Sequence, residues 1–295
     1  MLNSRNVGFG GARLMVRRIG IAAIVVVALG FPFLAVAQDT AFDPPRLRDG
    51  RPNLNGVWQA LNEANFDLEA HTARVAMDLR AGPHGPLPTP KVLHLGAVGA
   101  VPASLGVVEG GTIPYRPEAL EIREENRANW IDRDPEVKCY LPGVPRATYM
   151  PHPLQIFQSE NSFFIAYEYA GAVRNVNFEE SAAPIIESWM GESTGHWEGD
   201  TFVIEATGFN DLSWFDRAGN FHSADLQVTE RYTLTSPNVI TYSATIEDDQ
   251  TFTRPWTITM PLYRRLDRSS LLEFKCVEFV EELIFGQWRK APLDR

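Results

Sequence analysis

The chain has 295 residues, a formal net charge of −10 at pH 7 and 44% hydrophobic residues. Its acidity argues against nucleic acid and anionic lipid surfaces as partners, because both are negatively charged themselves. The length suits one large β domain or two small ones, and we favour one.

The N-terminus has the pattern of a secretory signal peptide. Residues 1–18 carry four arginines and no acid, residues 19–34 are almost wholly apolar, and Ala35-Val36-Ala37 follows shortly after. This order predicts cleavage after Ala37, although the apolar run also approaches the ~20 residues of an uncleaved anchor helix. Removal of 1–37 would change the charge from −10 to about −14, because four basic groups leave with it. We expect an exported protein, periplasmic or secreted, with no stable membrane span after cleavage.

The mature chain divides into two parts of one domain, a covering region at 38–153 and a barrel core at 154–295. The covering region is expected to be irregular, with a short helix within 60–79 and a second from Pro117 to Trp130. A further helix is expected at 280–288, where it would cap the barrel.

From residue 154 onward the pattern is that of β-strands. The strands are expected at 154–158, 163–169, 173–178, 201–207, 226–234, 240–246, 252–262 and 271–279. Their short connections require antiparallel neighbours, since a parallel crossover needs a dozen or more residues. We therefore predict a mainly β fold, an antiparallel meander that closes into a lipocalin-like β-barrel.

Cys139 and Cys276 are the only cysteines. In an exported protein an even count predicts a disulfide, which the chain-entropy model values at about 4–5 kcal/mol for a loop of this length. Two buried free thiols are the alternative, because the sequence does not give the distance between them.

Two charged residues fall on apolar strand faces. With period-two spacing, Glu230 shares a strand face with Leu226, Val228, Tyr232 and Leu234, and Arg254 shares one with Trp256. A charge that faces a core must be paired or line a wet cavity. Glu230 and Arg254 are therefore either a buried ion pair or the polar floor of a ligand pocket.

A polar loop before the strand that bears Glu230 is the main candidate for chemistry. It contains one histidine, two carboxylates, an arginine and two adjacent aromatics: His222, Asp211, Asp216, Arg217, Trp214 and Phe215. A histidine oriented by a carboxylate at a barrel mouth suits general acid–base catalysis. A surface loop whose Asp and Asn residues form turns is the alternative.

Other residues are weaker candidates for the same site. His196 precedes a Glu-Gly-Asp hairpin turn and lacks a second histidine at ligand spacing, so we expect no metal there. The proline-rich segment 135–153, termed the strap below, brings Arg146, Tyr149 and His152 either to a pocket or to anchoring positions. The expected substrate contacts are Glu230, Arg254, Trp214, Trp256, Tyr232, Arg217, Tyr167 and Tyr149.

Most familiar catalytic motifs are absent from the sequence. It contains no GxGxxG opening a helix, GxxxxGK[ST], HExxH or CxxCH, and its GxSxG match, Gly191 to Gly195, lies between segments expected to be antiparallel strands and not at a strand-to-helix elbow. Nucleotide cofactors, elbow-type serine hydrolysis, zincin proteolysis and c-type haem are therefore disfavoured, and we expect no cofactor. A serine or threonine nucleophile outside an elbow stays open.

Several long motifs resemble a family of exported bacterial proteins that has no established activity. They are GVVEGGTIPY (106–115), PEVKCYLPGVPRATYMPHP (135–153), GHWEGDTFVIEATGFND (195–211), WFDRAGNFHS (214–223), TERYT (229–233), TRPW (253–256) and LLEFKCVEF (271–279). The resemblance covers most of the mature chain and implies no catalytic residues. Gly56-Val57-Trp58 and the meander also resemble the lipocalin or calycin architecture, at the level of fold alone.

Three functions are compatible with these features. The first is a cofactor-independent acid–base enzyme, an isomerase, lyase, cyclase or hydrolase, that acts on a small and largely apolar molecule. His222 would be its acid or base, Asp216 or Asp211 would orient the imidazole, and His196 could line the same cavity. The second is a periplasmic carrier of a small hydrophobic ligand, and the third is an envelope protein whose barrel is filled by its own side chains. We favour the enzyme and leave the oligomeric state open.

Overall fold

Nine antiparallel strands form the main sheet of the protein. The computed structural model describes residues 42–94, 100–179 and 186–274. In chain order the elements are β1 (Gly56–Ala60), β2 (Arg74–Val75), β3 (Leu79–Gly82), β4 (Gly85–Pro88), α1 (Pro90–His94), β5 (Ala100–Val101), α2 (Pro117–Ala128), α3 (Trp130–Arg133), α4 (Arg146–Tyr149), β6 (Leu154–Gln158), β7 (Phe163–Tyr167), a 3₁₀ turn (Tyr169–Gly171), β8 (Val173–Val176), β9 (Glu192–Glu198), β10 (Thr201–Thr207), β11 (Gln227–Ser236), β12 (Val239–Glu247) and β13 (Trp256–Arg264). The predicted signal peptide, Cys276 and the predicted helix at 280–288 lie outside the described residues.

The main sheet curves until its two edge strands meet. Its order is β8-β7-β6-β1-β13-β12-β11-β10-β9. Asn177, next to the end of β8, donates its N–H to Ser193 O at 2.9 Å and accepts from Gly195 N at 2.7 Å in β9. This short parallel contact leaves the barrel nearly closed. The predicted mainly β, antiparallel barrel is confirmed.

The barrel is packed with its own side chains. Successive strand residues point to opposite faces, so one alternate set from each strand meets inside. The inward set includes Trp58, Ile156, Phe163, Ile165, Tyr167, Phe202, Ile204, Val228, Tyr232, Tyr242, Ile246, Trp256, Ile258 and Leu262, each at most 3% exposed. Burial of this apolar surface is the main force that holds the barrel together.

Strand β1 joins the two halves of the meander. Trp58 pairs with Leu154 of β6 on one side and with Arg264 of β13 on the other. The barrel therefore includes residues 56–60, which the sequence division assigned to the covering region. The assignment missed them because β1 has only five residues and its partners lie far away along the chain.

Local predictions differ from the structure at four places. The expected helix within 60–79 is absent, because Asn62 accepts from Ala64 N and Asp67 accepts from Glu69 N, which are turn-forming bonds. The strand expected at 252–262 begins only at Trp256. The strands expected at 163–169 and 271–279 also change: the first ends at 167 before a 3₁₀ turn, and the described part of the second, 271–274, is irregular.

Candidate functional site

The connection from β10 to β11, residues 208–226, folds back on itself. Trp214 and Phe221 form an antiparallel bridge across it. Inside the turn the buried Asp216 carboxylate accepts from Asn220 Nδ2 at 2.6 Å and from Leu68 N at 2.8 Å. These bonds fix the turn against the covering region and bring its two arms side by side.

Ser213 and His222 meet across the two arms. Ser213 Oγ lies 2.7 Å from His222 Nε2, and His222 Nδ1 lies 2.8 Å from the carbonyl oxygen of Ser223. A carbonyl oxygen only accepts, so Nδ1 carries the ring proton and Nε2 accepts the proton of the Ser213 hydroxyl. The arrangement of hydroxyl, imidazole and a third group that orients the imidazole is that of an activated nucleophile.

The surroundings of His222 keep its imidazole neutral. The ring is 1% exposed, and burial lowers its pKa below the ordinary value of 6.5, against the opposing effects of the Ser223 carbonyl and the Asp248 and Asp211 carboxylates. Asp248 holds the carbonyl-bearing residue in place, since it accepts from Ser223 N at 2.7 Å and from Ser223 Oγ at 2.8 Å. A neutral imidazole is the form that can take a proton from a hydroxyl.

Neither carboxylate expected to orient His222 does so. The bonds of Asp216 run to the covering region and to its own turn, and burial together with the Asp67 carboxylate raises its pKa to about 7. Asp211 is exposed and reaches the imidazole only through its charge. A backbone carbonyl takes the place that the sequence reasoning gave to a side chain.

The strap covers the Ser213–His222 pair. Gly143 lies against Ser213 with φ +73°, and a Cβ added there would lie 2.7 Å from Ser213 Cβ and 3.2 Å from Trp189 O. The Phe215 and Phe209 rings pack beside the imidazole, with centroids 5.3 and 6.2 Å away. Ser213 is only 2% exposed, so the pair is closed to solvent in this structure.

A buried ion network fixes the strap to the loop. Glu136 Oε1 and Oε2 accept from Arg217 Nη2 at 2.7 Å and Nε at 2.8 Å, and Oε2 also accepts from Arg146 Nη2 at 2.6 Å. Arg146 is bound in turn by Asp134, with Nη1 to Oδ1 at 2.9 Å. Burial alone would raise the pKa of Glu136, but the two guanidinium groups outweigh it and hold that pKa at about 2. Arg217, an expected substrate contact, is thus an anchoring residue in this conformation.

Glu230 faces inward as predicted, but its partner is not the predicted one. It forms a fully buried ion pair with Arg174 of β8. Tyr232 Oη and Tyr242 Oη donate to its Oε1 at 3.0 and 2.8 Å. Arg254 is exposed and donates to Pro255 O, because it precedes β13 and does not share that strand's alternation. The prediction that Arg254 faces inward is wrong.

The predicted aromatic contacts separate into three surroundings. Tyr167 and Tyr232 lie inside the barrel, and Tyr149 donates from α4 to Phe215 O at 2.8 Å. Trp256 meets the Phe215 ring edge-on, with centroids 5.6 Å apart. Trp214 instead joins a second cluster with Ala76, Val92 and Trp130, away from the barrel core.

His196 lies outside the site. It is exposed on the β9–β10 hairpin, where Nε2 is 3.2 Å from Glu198 Oε1. Within the described ranges no group of three or more His, Cys, Asp or Glu side chains is placed to hold a metal ion. In that same part of the chain, no helix is long and apolar enough to cross a membrane.

Sequence reasoning missed three important residues. Arg174 could have been found from the sequence, because period-two spacing puts it on the same inward face of β8 as Val176. Ser213 carries no motif and becomes notable only through its contact with His222. Glu136 looked like an ordinary charged residue of the strap, and only the fold shows it between two arginines.

Comparison with known proteins adds no relative. No family model, curated protein or solved structure matches the chain. The resemblance described from the motifs therefore stays a prediction.

Proposed function

We propose that the protein is an exported, cofactor-independent hydrolase that cleaves a small, largely apolar ester. Ser213 is the nucleophile and His222 is the base. The observation that carries the proposal is the 2.7 Å contact between Ser213 Oγ and His222 Nε2, with Nδ1 fixed on the Ser223 carbonyl. It refines the acid–base enzyme expected from the sequence to one reaction class.

The proposed reaction follows from the positions of the protons. Ser213 Oγ attacks the ester carbonyl carbon while its proton passes to His222 Nε2. Collapse of the adduct breaks the bond to the alkoxy oxygen, and Nε2 returns the proton to the leaving alcohol. Water then loses a proton to Nε2 and attacks the acyl carbon. Collapse of this second adduct breaks the bond from the acyl carbon to Ser213 Oγ and releases the acid, and Nε2 returns the proton to Oγ. The Ser223 carbonyl stabilises the imidazolium in both halves, the role that a carboxylate has in other triads.

Entry of a substrate requires the strap to move. Ser213 lies under Gly143, while Tyr140, three residues before Gly143, and Leu212, next to Ser213 in the chain, are 47% and 55% exposed. The Tyr140 ring lies 5.2 Å from that of Trp189. These exposed apolar groups, together with the Phe209 and Phe215 rings within, favour an apolar acyl group over a charged one.

The packed barrel disfavours the carrier alternative. A carrier with its ligand inside the barrel needs a cavity of several hundred Å³ between the strands. Residues at the centre, such as Tyr232, Tyr242 and Glu230, are fully buried against one another. This packing supports our proposal that the ester-cleaving site lies in the loop layer beside the barrel.

The test uses the mature protein, p-nitrophenyl butyrate and a fluorophosphonate probe, with intact-mass readout. Wild type and the exposed-serine control Ser159→Ala are expected to turn over the ester and gain one probe mass, while Ser213→Ala does neither. His222→Gln should retain the fold and lose at least about 10²-fold in kcat, the usual contribution of a general base. Turnover by Ser213→Ala equal to wild type, or no probe on Ser213, overturns the proposal.

The pH profile gives an independent check. Burial lowers the pKa of His222, so the midpoint of the acid limb of the kcat/KM profile is expected to lie below pH 6.5. A limb at or above 6.5 would contradict a buried imidazole as the base.

Export and a Cys139–Cys276 disulfide belong to the same proposal. Phe274, two residues before Cys276, packs on Tyr169 with centroids 5.2 Å apart, and Tyr169 Oη donates to Glu136 O at 3.2 Å. Glu136 is three residues from Cys139, so these contacts bring the chain before Cys276 close to the part of the strap that holds Cys139. We expect N-terminal sequencing of exported protein to begin at Gln38. Non-reducing peptide mapping should recover Cys139 and Cys276 in one linked pair, and alkylation of both thiols without reduction would refute it.

A further inference from the structure

A groove at one end of the barrel lies between the β6–β7 turn and the end of β8. It has a volume of about 860 Å³, within the range of small-molecule sites. The residues that give it its chemistry are Arg51, Glu160, Asn161, Phe164, Asn175 and Phe178. The proposed hydrolase uses none of them.

Two aromatic rings form the apolar part of the groove. Phe178 packs against Phe202 with centroids 5.9 Å apart, and Phe164 packs against Phe157 at the same distance. Both groove rings are held by these neighbours and remain partly exposed, with the Arg51 guanidinium over one face of Phe178 at 5.8 Å from the ring centroid and the Phe164 ring without such a cover. A fixed ring with an open surface is a platform for the flat, C–H-bearing side of a ligand.

Side-chain amides supply the polar part. Asn161 and Asn175 are exposed, and neither side chain has a hydrogen-bond partner among the residues that the structure describes. Each amide offers two N–H donors and a carbonyl acceptor, which suits hydroxyl groups because these also donate and accept. The groove therefore presents directional groups that protein contacts have not already used.

The charges exclude an anionic ligand. Arg51 is the basic residue of the lining, and it is already engaged, with Nη1 donating to Glu160 O at 3.0 Å and Nε 3.6 Å from Asp49 Oδ2. Glu160 and Glu179 line the same groove and repel phosphates and carboxylates. A neutral ligand with many hydroxyl groups fits better.

From these features we infer that the groove binds a neutral carbohydrate, with one sugar face on Phe178 or Phe164 and its hydroxyls on Asn161 and Asn175. The site is independent of Ser213 and His222. It would give the protein a saccharide-recognition function whether or not the ester-cleaving proposal holds.

The test is saturation-transfer difference NMR and calorimetry with cellobiose, maltose, chitobiose and trehalose. Wild type is expected to bind at least one of the four. Asn175→Ala and Phe178→Ala should each raise the Kd for that sugar about tenfold, the equivalent of about 1.4 kcal/mol. Tyr263→Ala removes an exposed ring from β13 outside the groove and should bind as wild type does.

Asn175→Ala keeps the test decisive if Phe178→Ala unfolds, because the Asn175 side chain is exposed. Binding of none of the four sugars by wild type overturns the inference. Unchanged affinity in the folded variants, or displacement of the bound sugar by inorganic phosphate, overturns it too. Ester turnover is measured on the same samples and should not change.

Discussion

Gly143 offers a direct test of how tightly the strap presses on Ser213. In Gly143→Ala the new Cβ would lie 2.7 Å from Ser213 Cβ, closer still to Oγ, and 3.2 Å from Trp189 O. The backbone there has φ +73°, in the left-handed region. The substitution therefore adds both backbone strain and overpacking.

The two costs have separate magnitudes. An L-residue in the left-handed region costs about 1–2 kcal/mol, and overpacking of a tight site costs about 1–3 kcal/mol. Gly199→Ala is the matched control, because Gly199 has φ +59° and nothing within 4 Å of an added Cβ. The control should lose about 1–2 kcal/mol of unfolding free energy, the cost of backbone strain alone, whereas Gly143→Ala should lose about 2–5 kcal/mol.

Urea unfolding followed by tryptophan fluorescence measures both free energies of unfolding. Combining Gly143→Ala with Ser213→Gly removes most of the collision, so the alanine should then cost little more than in the Gly199 control. Equal losses for Gly143→Ala and Gly199→Ala would show that the strap does not press on Ser213, and would refute the closed site.

Two further predictions concern the buried charges. Arg174→Met should lower the free energy of unfolding in urea by about 3–5 kcal/mol, because it leaves Glu230 buried without its counter-ion. Arg254→Met, at an exposed position, should change that free energy by less than about 0.5 kcal/mol. Similar losses in the two variants would contradict the pairing of Arg174 with Glu230. Because the Glu136 pKa is held at about 2, the native state binds fewer protons than the unfolded chain between about pH 2 and 4.5. Its contribution to stability should be complete above about pH 4.5 and lost as the pH falls towards 2. Unfolding free energies measured across this window should slope less in Glu136→Gln, and an unchanged slope would exclude Glu136 as the source.

Local patterning was enough to predict much of the barrel. Strands such as β10 and β12 alternate apolar and polar residues, and turns such as Glu198-Gly199-Asp200 fix antiparallel hairpins. The same alternation failed around Arg254, where Pro255 stands before the first strand residue and the phase was extended too far. Period two identifies a face only inside the strand itself.

The candidate site was predicted only in part. His222 was identified from its residue type and its acidic loop, but the orienting group is a backbone carbonyl, which no residue type reveals. Ser213 is nine residues away and becomes its partner only because Asp216 closes the turn. The partner of Glu230 comes from a strand more than fifty residues earlier. Contacts between residues so far apart in the chain depend on the topology of the fold, which local residue spacing does not reveal.

The position of β1 between β6 and β13 sets the order in which the molecule can assemble. The hairpins from β9 to β13 join neighbours in the chain and can form early, whereas Trp58 must wait for Arg264 before the two halves become one sheet. Closure over such a long loop is slow, so the last step of folding should be the docking of an N-terminal strand that leaves the ribosome first. A circular permutant that begins before β6 and carries β1 after β13 would shorten the loop between β13 and β1, and we expect it to pair these two strands faster at unchanged topology.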